Sequence, residues 1–145
     1  MATDAKTGQA IFGGHNSWGR TRRPKNIAGA DGTAITLEST DGSAPTAVTD
    51  GYRTENQRFL HLTAKDNDGD TTITLYVYHY AFAKWAKLMI PTDLDGTVTD
   101  AYKAATVTCA TAFQSWVFDI AGADRVAFVA NNADATTVYA ACSTF

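Results

Sequence analysis

Apolar and polar positions alternate with a period of two in several short stretches, and no stretch sustains the 3.6-residue period of an amphipathic helix. The best specified pair is Arg58–Lys65 and Asp70–Ala81, separated by Asp66-Asn67-Asp68-Gly69. With Lys65 opposite Asp70, Leu62 faces Ile73 and Leu60 faces Leu75, so the apolar residues of both strands fall on one side. A one-residue slip destroys that match, and the pattern predicts a hairpin. The opposite face carries Phe59, His61, Tyr76, Tyr78, Tyr80 and Phe82. A strand with large side chains on both faces is held between two layers or lies half against a partner.

The same alternation runs through the last third of the chain. Trp116, Phe118 and Ile120 share a face; a loop at 121–125 sets Ile120 opposite Val126 and Phe118 opposite Phe128. Asn131–Ala135 turns the chain again into Thr136–Ser143, where Val138, Ala140 and Cys142 join that face, predicting a three-strand meander. Upstream, Thr33–Glu38 reads as a first strand, and Lys84–Ile90 as one that stops at Pro91. Only Ala101–Ala105 suits a short helix. About eight short strands punctuated by turn residues describe an all-β chain, an antiparallel β-sandwich or jelly-roll-like domain over residues 31–145. Residues 1–30 have neither period. They scatter five glycines among polar and basic residues, with Phe12 and Trp18 as isolated aromatics, and read as an extended N-terminal arm.

Composition supports strands: 22 Thr and 13 Asp stand against 2 Glu in 145 residues, which is one domain's length. Charge adds something the hydropathy pattern lacks. The net value of -3 argues against an ordinary polyanion binder, yet residues 1–30 hold five Lys and Arg against one Asp, a net of +4, which leaves 7 - 14 = -7 on residues 31–145. The basic cluster Arg20, Arg22, Arg23 and Lys25, stiffened by Pro24 and flanked by Phe12 and Trp18, reads either as a solvated loop or as a docking segment for an acidic partner surface, and suits both better than direct nucleic-acid contact. Cys109 and Cys142 lie in apolar stretches and are expected as buried free thiols. The first residues lack the layout of a signal peptide and no run reaches membrane-span length, so synthesis in a reducing cytoplasm and no membrane partner are expected.

Candidate chemistry is sparse. Asp66-Asn67-Asp68-Gly69-Asp70 offers three carboxylates to a hard cation, but the EF-hand order of Gly and Glu is absent and the residues suit a turn, so no metal is expected. His15, His61 and His79 do not fall together, and neither the serines nor the cysteines sit in an activating motif. No catalytic residue or cofactor is expected. Tyr76, Tyr78, Tyr80 and Trp85 form an outer-face patch fit for a partner or an oligomer interface, or alternatively for stacking on sugar rings in a carbohydrate-binding or adhesin-like module.

The segment 116–128, Trp-Val-Phe-Asp-Ile-Ala-Gly-Ala-Asp-Arg-Val-Ala-Phe, followed by the strand Val138–Cys142, resembles the C-terminal hairpin of small β-sandwich proteins in tailed-phage virions. The Ala/Thr/Gly-rich composition, the near absence of Glu and the Arg-bearing arm are similar to capsid decoration, or cement, proteins. That resemblance implies a non-enzymatic virion structural protein made in the host cytoplasm. It would sit on the capsid exterior, bound to the major capsid protein as a homo-oligomer, and stiffen the shell.

Overall fold

A computed structural model describes residues 23–92 and 102–144. Among them run eleven strands: β1 (Lys25–Asn26), β2 (Tyr52–Arg53), β3 (Phe59–Asp66), β4 (Thr72–His79), β5 (Lys84–Lys87), β6 (Met89–Pro91), β7 (Tyr102–Ala104), β8 (Thr106–Thr108), β9 (Gln114–Asp119), β10 (Arg125–Ala130) and β11 (Thr136–Ser143). Sheet A has the order β1-β11-β3-β9. Sheet B has the order β2-β10-β4-β5, with β8 also on β4, and β6-β7 form a separate ribbon. Every strand pair is antiparallel. No helix among the described residues is long and apolar enough to cross a membrane.

The two sheets face each other across one core, as the all-β expectation requires. Period-two alternation on β3 and β11 sends Leu60, Leu62, Val138, Ala140 and Cys142 inward from sheet A, while β4 and β10 send Ile73, Leu75, Val77, Val126 and Phe128 inward from sheet B. Burying each large aliphatic or aromatic side chain of this set contributes about 1.5–3 kcal/mol.

The expected pairings are different. β3 and β4 are not hairpin neighbours: β3 lies between β11 and β9 in sheet A, whereas β4 pairs β10, β5 and β8 in sheet B. The meander is likewise replaced, since β9 and β11 flank β3 while β10 lies in the other sheet. The loops after β3, β9 and β10 therefore cross between sheets. The inward residues match in both arrangements, because two walls of a core satisfy the same alternation as two neighbours in a sheet.

Thr33–Glu38 forms no ladder strand. It runs extended along the open side of the sandwich, with Ile35 N–H donating to Val138 O at 2.8 Å in sheet A and Glu38 N–H donating to Phe128 O at 2.8 Å in sheet B. Strand β5 leaves β4 at Leu88, whose N–H donates to Leu75 O at 2.9 Å; Ala105 then returns the chain, and its carbonyl accepts from Leu75 N–H at 3.0 Å. Between these points β6 and β7 pair, with Pro91 opposite Tyr102, so Tyr102–Ala104 of the expected helix is strand. Lys25 and Asn26, which fall inside the expected arm of residues 1–30, instead pair with Cys142 and Ala141 as the edge of sheet A.

Candidate functional site

The aromatic patch sits on the outer face of sheet B. Tyr78 lies directly across from Trp85, with ring centroids 5.2 Å apart, and edge-on to Tyr80 at 5.6 Å. Their own chain covers much of it. The segment 41–51 folds over this face, where the Trp85 indole Nε1–H donates to Ala47 O at 2.8 Å. Arg125 holds the same segment from beneath: its Nε donates to Asp50 O at 2.9 Å and its Nη2 to Thr49 O at 2.9 Å and Gly51 O at 3.0 Å. Tyr76, packed with Ala127 and Val129, is 8% exposed and Tyr78 6%, while Trp85 is half-buried. Of the four rings expected to meet a partner, only Tyr80, 52% exposed beside a turn that also presents Phe82, stands clear.

The arm residues divide at Arg23. Phe12, Trp18, Arg20 and Arg22 lie outside the described residues, as do His15 and Ala101. Arg23 pairs with Asp31, which raises its pKa first through the hydrogen bond and then through charge. Lys25 Nζ lies 3.4 Å from Glu55. Beside β1 a cleft of about 610 Å³ opens between Arg23, Lys25, Arg53 and Gln57, with Cys142 in its floor. Burial, and secondarily the charge of Glu55, pushes the Cys142 thiol up to about 12; burial and the charge of Asp66 push Cys109 up as well. Both are free thiols, as expected.

At one end of the sandwich the loop after β3 meets the loop before β11, bringing Asp134 to Asp66, Asp68 and Asp70; one oxygen of each lies within 4.8 Å of the others. If a hard cation were held among the described residues, these oxygens have the chemistry for it. The chain's own donors already organise them. Asp66, 2% exposed, accepts through Oδ2 from the backbone N–H of Gly69, Asp70 and Thr71 at 3.1–3.2 Å and through Oδ1 from the Thr136 hydroxyl. Asn132 donates to Asp70 at 3.0 Å and accepts from the Thr71 hydroxyl at 2.7 Å. Burial opposes ionisation of Asp66, but the donors from Thr71, with Asp68 and Asn67, outweigh it and hold the carboxyl well below the usual range. Asp68 is raised by its hydrogen bond to Asp66, then by burial and by the charges of Asp134 and Asp70. Asp134 is raised by burial and by Asp70.

The described histidines stay apart. His61 of β3 bonds the Ser143 hydroxyl at 2.8 Å in sheet A, and His79 ends β4 in sheet B against Phe82. The contributions of Arg125, Asn132 and Asp134 escape sequence reading, because each arises from contacts more than sixty residues apart along the chain. No protein-family model matches the chain, and neither does any curated protein or solved structure.

Proposed function

We propose that this protein is a non-enzymatic virion structural protein that binds the major capsid protein on the outer surface of a tailed-phage shell and stabilises it. The observation that carries this reading is the rooting of the basic segment. Arg23 and Lys25 are ion-paired to the body at Asp31 and Glu55, and Lys25–Asn26 are hydrogen-bonded into sheet A as β1. Residues 1–22, with Phe12, Trp18, Arg20 and Arg22, thus lead into a rigid sandwich. Residues 1–22 carry Lys6, Arg20 and Arg22 against Asp4, a net of 3 - 1 = +2 that suits an acidic surface, and the 9 - 14 = -5 on residues 23–145, once the arm is docked, keeps neighbouring copies soluble and apart from the DNA. Many weak attachments on one lattice then add up through effective concentration.

The glycan-binding alternative loses its platform to the burial of Tyr76 and Tyr78. Co-sedimentation with capsid shells tests the reading, comparing the full chain with a deletion of residues 2–22 that leaves β1 intact. The full chain should pellet with the shells, less so as salt screens the arm, and the deletion should stay in the supernatant. A folded deletion protein that binds as well as the full chain overturns the arm model.

A further inference from the structure

We propose that the β9 edge of sheet A is an interface with a second copy of this chain, formed by antiparallel β9–β9 pairing about a two-fold axis at Val117. The inference is independent of the capsid reading.

An unpaired edge strand offers free N–H and C=O groups to another strand, and folded proteins blunt such edges with short strands, charge, proline or a covering segment. Three of the four edges here are blunted. β1 and β2 are two residues long, with Pro24 just before β1. The far side of β4 is shared by β5, bounded by Lys84 and Lys87, and by the three-residue β8. The fourth is β9, six residues of Gln-Ser-Trp-Val-Phe-Asp with no proline and no lysine, paired on β3 alone among the described residues.

The backbone phase of that edge follows from one hydrogen bond: Ile120 N–H donates to Arg58 O at 2.8 Å, in step with the β3–β9 register. In an antiparallel ladder such inward pairs alternate. Gln114, Trp116 and Phe118 therefore spend their backbone groups on β3, and Ser115, Val117 and Asp119 turn theirs outward.

A two-fold axis at Val117 uses all three outward residues. Val117 pairs with its own copy, and Ser115 pairs with Asp119 in both directions. Residues opposite one another keep the same face, so Trp116, half-buried in the single chain, lies across from Phe118 of the second copy and the core continues between them. Val117, 60% exposed on the outer face, meets its copy instead of water. Charge selects the antiparallel sense: the only ionised side chain of β9 is Asp119, engaged by Arg58 at 2.8 Å, and the two-fold sets the two Asp119 at opposite ends, whereas a parallel pair would set them side by side. An isologous pairing of this kind closes at two copies.

Sedimentation equilibrium of the full chain tests this, with amide hydrogen exchange read at Ser115, Val117 and Asp119. The wild type should have twice the 15.5 kDa chain mass, with those three amides protected. Val117→Lys places like charges across the axis and should halve the mass and release the protection. Ser115→Pro, which removes only an outward N–H, should do the same and serves if the lysine variant fails to fold. A monomeric wild type overturns the proposal. So does a dimer that survives both folded variants, or one whose three amides exchange freely.

Discussion

The Thr136 hydroxyl donates to the Asp66 carboxylate at 3.2 Å, and this contact ties the segment leaving β3 to the segment entering β11. Asp66 is the hub of that end: three consecutive backbone N–H groups also converge on it. Asp66→Ala strips all of these donors of their acceptor in a buried position, and its Tm should fall by about 5–10 °C. Asp66→Asn keeps an oxygen for the amides and should lose about half as much. Calorimetry on both decides it, and an alanine variant that melts with the wild type would show that the cluster does not hold the two loops.

Acidity should reveal the same cluster with two opposite signs. Asp68 and Asp134 have raised values in the folded chain, so the folded state takes up protons before the unfolded one, and stability should rise as pH falls from neutral through their raised values toward the ordinary carboxylate value near 4. Asp66, Asp119 and Asp124 are held low, so their contributions are present above that ordinary value and are lost as pH falls below it. A Tm profile should therefore peak on the acid side of neutral. Asp68→Asn combined with Asp134→Asn should flatten the rise above pH 4 while leaving the fall below it.

How much of this was readable beforehand depends on what alternation records. The inner positions were: Leu60, Leu62, Ile73, Leu75, Val126, Phe128, Val138, Ala140 and Cys142 are all buried where the period-two pattern places them. The neighbours were not. Leu60 and Leu75 fit equally as hairpin partners and as opposed walls of a core, and Asp-Asn-Asp-Gly serves a crossing loop as well as a hairpin turn. The large side chains on both faces of β4 show that both are covered but not by what; Arg125 and the 41–51 segment lie over the aromatic face within the chain, through contacts that span some seventy residues. Asp134 joins the other carboxylates only because two inter-sheet crossings end side by side.

Arg125 makes that cover testable. Its guanidinium reaches three successive carbonyls at Thr49, Asp50 and Gly51, a geometry that one lysine ammonium cannot reproduce. Arg125→Lys should cost about 1–2 kcal/mol and speed amide exchange across residues 46–51. Exchange in β10 and β11 should change only by the global loss of stability. Unchanged exchange in 46–51 would mean that the segment is held by Trp85 and Ala47 instead.

The thiols offer a chemical probe of the core. With Cys142 pushed up to about 12, its thiolate share at pH 8 is about one part in ten thousand, against about a quarter for an ordinary thiol, and burial shields it further. Cys109 is fully buried and shifted in the same direction. Ellman's reagent should titrate both cysteines at once in denaturant and react at least a thousandfold more slowly with the native chain. Rapid native labelling of one thiol would show that the floor of the cleft beside β1 opens in solution.

Two glycines separate backbone conformation from crowding. Gly51 and Gly42 both have positive φ, at 67° and 84°, so an alanine at either costs about 1 kcal/mol in conformation. Their surroundings differ. A methyl group at Gly51 would stand 2.2 Å from the Val126 carbonyl oxygen and 3.0 Å from the Ala127 Cβ, whereas one at Gly42 meets nothing within 4 Å. The Val126 carbonyl belongs to the central ladder of sheet B and cannot retreat without disturbing β10. Gly51→Ala should therefore destabilise by about 3 kcal/mol or more and Gly42→Ala by about 1 kcal/mol. Denaturant unfolding of the pair measures the difference, which is the energy of the close approach between the covering segment and the sheet; equal losses would show that the approach is loose.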